Sequence, residues 1–454
     1  MDLEKVTVPL PDGKPTGIWS QNVTRSDTGE LAVAGIGVTE LAAEFGTPAY
    51  ILDVADMRAR AQSWVAAMES AFADLGRADV YYAGKAFLAK AVARWMYQVG
   101  LHIDTASEGE LRTALAGGVP GSYCGLHGNN KSAAEIELAL ETGVAHIVVD
   151  SLTELELVAQ IAKAHGKVAP IYLRLTTGVH AGGHEFIATA HEDQKFGLSI
   201  STGVAQTAIE RAHANPHLEL LGLHSHIGSQ ILATDGFARA ASAVLQVRAQ
   251  AAQRGVVIPE IDLGGGYGVR YTSNDAIPPT PADFATALAS AVRDHVAETG
   301  LPAPHIAIEP GRSIIGPAML TLYRVGTIKD VMTDTGSRRY VSVDGGMSDN
   351  LRPALYGADY TAAVANRATS GELRRTRVVG KHCESGDIVV RNVALAEVAA
   401  DDLLAVPVTG AYGRAMASNY NMISRPPVVA VEEGKATVLI RRETIADQLA
   451  LDVS

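Results

Sequence analysis

The chain has 454 residues, 47% of them hydrophobic and 19% charged, with a formal net charge of −12. That composition describes an ordinary globular chain of two or three domains, or one large barrel carrying an added module. No lysine- or arginine-rich run supplies the basic footprint that nucleic acid or an anionic membrane surface requires, and no apolar stretch is long enough to span a bilayer. The opening stretch, MDLEKVTVPLPDGK, lacks the basic-then-apolar pattern of a secretory signal. Two cysteines, Cys124 and Cys383, are too few for a disulfide framework, so a reducing cytoplasm is expected.

Taken in chain order, residues 1–47 are short and strand-like and are expected to join a β domain built mainly from the C-terminal part. Residues 48–320 read as an α/β barrel of the (β/α)8 kind, entered through the strand and helix of TPAYILDVADMRARAQSWVAAM. Its strands are expected at 79–86, 101–107, 122–127, 146–151, 170–176, 220–228, 260–266 and 305–311, with helix-like stretches between them. Continuous apolar strands alternating with helices imply a parallel sheet covered on both faces, and eight such units imply closure. An open doubly wound sheet is the alternative. Residues 272–284 read as a surface loop ending in a helix start, and 176–197 as a long loop of the kind that carries function. Residues 321–454 are strand-rich with glycine and aspartate turns, which implies a mostly β domain.

Barrel enzymes place their chemistry at the C-terminal strand ends. The unusual polar residues gather there: Lys85 at the first strand, Asp104 and Ser107 at the second, Arg174 at the fifth, His224 and His226 at the sixth, Gly264, Gly265 and Gly266 at the seventh, Glu309 and Arg312 at the eighth. Lysine is costly to bury without a partner, so an amine closing the buried run Val80–Gly84 raises the question of its purpose. The loop DLGGGYG is a tight turn or an anion cradle, since backbone N–H groups without side chains approach a phosphate closely. Its place on the seventh strand argues against a dinucleotide fingerprint. In IEPGR, Glu309 and Arg312 form a structural ion pair, or else face a protonated ring nitrogen and an anionic substrate group. Alternation puts His224 and His226 on one strand face. His180, His184 and His191 lie near Glu185, Glu192 and Asp193, the residue types of a metal site, but HEFIATAH lacks the spacing that sets two histidines on one helical face; no metal is expected.

In order, the motifs YYAGKAF, HEFIATAHEDQKFG, HSHIGSQ, DLGGGYG, EPGR, VDGGMSDNLRPALYGADY, CESGD and GAYGRAMASNYN resemble those of the fold-type III pyridoxal-phosphate decarboxylases, over residues 30–450. The likeness is strongest to actinobacterial members that act on diaminopimelate. Many relatives have asparagine where this chain has Phe87.

The resemblance implies a pyridoxal 5'-phosphate enzyme that converts meso-2,6-diaminopimelate to L-lysine and CO2. It assigns Lys85 to the covalent bond with the cofactor, His226 to stacking on its ring, and Ser229, Gly265, Gly266 and Gly311 to its binding. Glu309 is assigned to the pyridine nitrogen. Arg312, Arg352 and Tyr356 match groups holding the substrate's distal carboxylate, Glu384 the partner of its distal ammonium, and Tyr412 a tyrosine touching cofactor and substrate. Cys383 matches a proton donor. The family also implies a homodimer in which the Cys383–Glu384 segment serves the partner's site. Two other readings are a different basic amino-acid decarboxylase of the same fold, acting on ornithine, arginine or a carboxylated polyamine, and a non-catalytic cofactor-binding relative.

Overall fold

The structure is a computed structural model and describes residues 17–179, 195–334 and 336–454. Two compact units divide them. One holds Arg60–Gly268 and Pro278–Gly311; the other holds 17–59, Val269–Ile277 and Arg312–Ser454.

In the first unit, eight parallel strands close on themselves in chain order: Ala78–Ala83, His102–Thr105, Cys124–Leu126, His146–Val149, Ala169–Thr176, Leu218–Ser225, Glu260–Asp262 and His305–Ile308. The last pairs with the first, through Ala307 against Asp79, and closes the barrel. A two-residue strand, Leu198–Ser199, pairs in parallel with the last two residues of the fifth, Leu175 and Thr176. The strands bury apolar side chains on both faces, as their continuous runs require: Ile103, Ile147, Ile171, Leu173, Leu223, Ile261 and Ile306 are fully buried. Helices follow where a cap is encoded. Ser132 and Glu135 form a reciprocal capping box opening Ala133–Thr142, and Thr280 with Asp283 does the same for Pro281–Thr299, at the expected end of the surface loop. Ser107, singled out as a strand-end polar group, is a helix cap: its side chain accepts the Glu110 N–H.

The opposite, N-terminal end of the barrel is closed by a polar cluster from the first residues of four strands. His305 lies 3.1 Å from Asp79 and 3.4 Å from Glu260. His102 lies 3.6 Å from Asp79, and the Tyr172 hydroxyl donates to Glu260. Burial opposes the His305 charge, but the two carboxylates raise its pKa to about 9. A histidine raised in the folded state stabilises fully below its unfolded value near 6.5 and loses that contribution as pH climbs through the folded value. Urea unfolding is therefore expected to show stability falling by about 2–3 kcal/mol between roughly pH 6.5 and 9.5. His305→Gln flattens that slope; an unchanged slope in the variant contradicts the assignment.

The second unit is built on a nine-stranded sheet. Its spine is Met319–Thr333, whose first residues run between Ala49–Asp53 and Leu403–Pro407, while its later residues pair with Gly336–Val343. Arg374–Val379 and Ile388–Leu395 extend one side, Val428–Glu432 and Lys435–Ile440 the other. One expectation is corrected here, while residues 17–47 fall in the same unit as the C-terminal part, as expected. Ala49–Asp53, read as the strand entering the barrel, pairs instead with Met319–Leu322 and Val428–Val431. The earlier strands Val23–Arg25, Leu31–Val33 and Ile36–Gly37 do not join this sheet but form a small one of their own, which shares an apolar core with it through Leu31, Val38, Leu41, Leu322, Val341 and Val406. No helix among the described residues is long and apolar enough to cross a membrane.

Candidate active site

Lys85 sits in a single 3-10 turn, Gly84–Ala86, just past the end of the first strand. Its side chain is exposed in the single chain, which corrects the expectation of a buried amine. The strand stops at Ala83, two residues before it, so the turn lifts the amine out of the barrel wall. Its neighbours Ala86 and Phe87 are buried, and the Tyr82 hydroxyl donates to the Phe87 carbonyl at 2.6 Å, tying the turn down. The Lys85 charge is felt by Asp104, His127, His224, His226 and Glu309, which places all of them around the barrel mouth.

Glu309, one residue past the eighth strand, is 2% exposed. The partner a buried glutamate requires is imidazole: Oε1 lies 3.0 Å from His224 Nε2 and 3.4 Å from His127 Nε2. Burial works against ionisation, yet His127, His224 and Lys85 together hold the Glu309 carboxyl well below the usual range. Asp104 and Asp262 go the other way: burial, then the charge on Glu309, pushes both well above it. One buried anion thus stands between two acids kept neutral, the arrangement like charges enforce when they crowd together. Burial lowers the pKa values of His127, His224 and His226, leaving uncharged rings that can donate one N–H each.

The glycine loop follows Asp262, whose Oδ1 accepts the Gly264 N–H at 2.8 Å. A Cβ on Gly265 would lie 2.4 Å from the Glu309 carbonyl, and one on Gly266 2.6 Å from that of Gly228, so the ends of the sixth, seventh and eighth strands approach as only glycine allows. The Gly265 N–H donates to His226 Nδ1 at 3.2 Å, which leaves the ring hydrogen on Nε2 and fixes its orientation. That N–H, expected to face phosphate, serves the histidine here. Ser229 follows three residues on, half-buried, after Gly228 at φ 139°. Gly311 lies against the first strand, where a Cβ would meet that of Ala83 at 2.9 Å. Arg174 is buried with its guanidinium 4.2 Å from the Phe196 ring and 3.8 Å from Asp150.

The second unit gathers a different set. Arg312 and Arg352 are 7% and 6% exposed. The Arg352 guanidinium stacks 4.5 Å from the Tyr271 ring and donates to the Tyr360 hydroxyl at 2.6 Å. Arg312 donates to the Tyr271 hydroxyl and lies 4.7 Å over the Tyr412 ring. Tyr412 adopts φ 59°, an uncommon conformation for a bulky residue that recurs at functional sites. Burial opposes the Arg352 charge, while Tyr271 and Tyr360 raise its pKa above the ordinary value. Among the described residues no carboxylate lies within 4 Å of Arg352. Tyr356 ends the short helix Arg352–Tyr356, half-buried. Cys383 and Glu384 are exposed on a loop pinned by Asp387, which lies 2.8 Å from His382 Nδ1 and also accepts the Met347 N–H.

His127, Asp262, Tyr271 and Tyr360 were not anticipated. His127 closes the third strand, one of two ends left out of the sequence constellation; requiring a polar residue from every strand end finds it. The histidines and acids weighed as a metal site (His180, His184, His191, Glu185, Glu192, Asp193) lie outside the described residues. Elsewhere His127, His224 and Glu309 bring ligand atoms within 4.8 Å of one another; Glu309 is hydrogen-bonded to His224 at 3.0 Å and approached by His127 Nε2 at 3.4 Å.

Comparison with known proteins places these sets in a family. Residues 54–316 match the model for the pyridoxal binding domain of pyridoxal-dependent decarboxylases. The diaminopimelate decarboxylase of Mycobacterium tuberculosis is 48% identical over 443 residues, covering 96% of this chain and 98% of that protein. That of Bacillus subtilis is 43% identical over 427 residues, 94% and 95% of the two chains. The crystal structure of the M. jannaschii diaminopimelate decarboxylase in complex with L-lysine superposes with a TM-score of 0.89 at 31% identity, covering 96% of this chain and 98% of that one. The chain belongs to the pyridoxal-dependent decarboxylases and, within them, to the diaminopimelate decarboxylases.

Proposed function

We propose that this chain is a pyridoxal-phosphate-dependent carboxy-lyase that converts meso-2,6-diaminopimelate to L-lysine and CO2, the last step of lysine biosynthesis. The observation that carries the choice of substrate is Arg352, a guanidinium 6% exposed, stacked on phenols and with no carboxylate within 4 Å among the described residues. A buried charge left without a counter-charge is costly. A substrate with a second carboxylate supplies one, and a guanidinium fork suits it.

The barrel mouth fits pyridoxal phosphate. It offers an exposed amine, a flat neutral imidazole held edge-on by a backbone N–H, a buried anion for a ring nitrogen, and a loop whose glycines leave no side chain in the way. The bound cofactor supplies the electron sink that receives the pair left by the departing carboxylate. The protein does the rest. Lys85 provides the amine that holds the cofactor and yields to the substrate's amine. Glu309, ionised by its imidazole partners, keeps positive charge on the ring nitrogen. His226 covers one face of the ring, and Ser229, Gly265, Gly266 and Gly311 line its binding site. Arg312, Arg352 and Tyr356 take the distal carboxylate, Glu384 the distal ammonium, and Tyr412 borders substrate and cofactor. Cys383 or Lys85 returns the proton. The chain works as a cytoplasmic homodimer in which Cys383 and Glu384, both exposed in the single chain, serve the partner's site.

Ornithine lacks the distal carboxylate. At about 1.5–3 kcal/mol for each charge-assisted contact, losing two slows turnover by about 10²–10⁴-fold. CO2 release measured from diaminopimelate and from ornithine should differ by that factor in favour of the former. Faster release from ornithine makes the chain a different basic amino-acid decarboxylase of this fold, and no release from either makes it a non-catalytic relative.

A further inference from the structure

We propose that Asn421 is a positioning residue that holds the Cys383–Glu384 loop in its working place by accepting the Cys383 backbone N–H; the inference rests on the reading above in which that loop serves the active site. The Asn421 side-chain oxygen accepts this N–H at 3.0 Å from a position 38 residues on. It does so from a turn that is costly to form. Asn421 takes φ 54° and ψ 26°, and Met422 follows at φ 58°. Successive residues other than glycine rarely share the left-handed region, and asparagine is among the few side chains that enter it readily. Such a conformation persists where its surroundings over-determine it. Here they do. The Met422 N–H donates to the Asn419 carbonyl at 2.8 Å, and Asn419 Nδ2 donates to the Ile423 carbonyl at 3.2 Å and to the Glu443 carboxylate. Glu443 in turn accepts the Arg425 N–H at 3.0 Å. On the approach to the turn, the Ser418 N–H donates to the Ser348 carbonyl at 2.9 Å.

The loop is otherwise fixed on either side of Cys383 and Glu384 rather than at them. The Asp387 carboxylate accepts the His382 N–H at 2.8 Å and the Met347 N–H at 2.6 Å, and lies 2.8 Å from His382 Nδ1. A Cβ on Gly346 would lie 2.5 Å from that carboxylate, and one on Gly380 closer still, so both glycines make room for it. The Tyr420 ring, next to Asn421, stacks parallel to the buried His382 ring with centroids 5.6 Å apart. Glu384 turns back on its own loop, where Oε1 accepts the Gly386 N–H at 3.3 Å. Asn421 thus supplies, from a distant segment, the tie that reaches Cys383 directly. Cys383, Glu384 and Asn421 are exposed together in the single chain. Water competes for a hydrogen bond there, and excluding water strengthens it. A loop that serves the partner's site carries this bond into a covered place, where the direction of the Cys383 thiol follows from how its backbone is held.

The test combines Asn421 variants with Cys383→Ala in enzyme loaded with pyridoxal phosphate. Glycine accepts the left-handed backbone but has no oxygen to offer; aspartate keeps both the conformation and the acceptor. Asn421→Gly should lower kcat for CO2 release from diaminopimelate about tenfold. In the Cys383→Ala background the same change should alter kcat by less than about twofold, because the group it positions is gone. Asn421→Asp should stay within about threefold of wild type. Hydrogen exchange read by mass spectrometry should quicken about fivefold in the peptide spanning residues 381–387 of the glycine variant, and not in the aspartate variant. If the glycine variant does not fold, Asn421→Ala replaces it in every comparison. An equal loss of kcat in both backgrounds, a wild-type kcat, or unchanged exchange in the glycine variant overturns the role of Asn421 alone. Wild-type kcat in Cys383→Ala takes down the assignment of Cys383, and this inference with it.

Discussion

Lys85→Ala should lose both turnover and the visible absorbance of the protein-bound cofactor. The amine stands exposed at the barrel mouth on a turn fixed by buried neighbours. Folding is therefore expected to survive, with thermal unfolding within about 0.5 kcal/mol of wild type. Turnover falls by at least about four decades, the upper end of what a positioned proton-transfer group contributes, because the same amine also holds the cofactor. Steady-state CO2 release and an absorption spectrum read the two effects separately. A variant that keeps the band while losing activity assigns the covalent bond to another amine.

Glu309→Gln should leave the cofactor bound but poorly used. Glutamine fills the same space and still meets His224 and His127, so the polar network keeps its shape while its negative charge disappears. Removing one preorganised charge from a buried site costs on the order of 10²–10³ in kcat. KM for diaminopimelate should move little, since the residues assigned to the substrate's far end belong to the other unit. The substitution also removes the charge that pushes Asp104 and Asp262 up, so both should ionise more readily and the acid limb of the pH–rate profile should move to lower pH. An unchanged acid limb with full kcat means that Glu309 faces no developing charge.

The barrel was legible because its signal is local. Each parallel strand buries both faces and reads as an apolar run, and several helices announce their start with a cap such as Thr280 or Ser132. Ala49–Asp53 misled for the same reason: a fully buried strand followed by a helix looks like a barrel unit, and its true partners, Met319–Leu322 and Val428–Val431, lie hundreds of residues away. Lys85 was misjudged by two residues of strand length, enough to turn an exposed amine into a buried one. The acids and glycines of the mouth were visible as a set because several strand ends converge. His127 was not, since a lone histidine in GLHGNN looks like any satisfied core residue until Asp104 and Glu309 are seen on either side of it. Tyr271 and Tyr360 escaped because nothing in a sequence marks which phenols will face two guanidiniums.

The account turns on which amine holds the cofactor. Borohydride treatment of the loaded enzyme, followed by peptide mapping by mass spectrometry, reads this directly. The pyridoxyl mass should appear on the peptide containing YYAGKAF, at Lys85 and at no other lysine. Finding it on Lys131, Lys195 or any other chain amine, with Lys85 unmodified, contradicts the assignment of the barrel mouth as the place where the chemistry occurs.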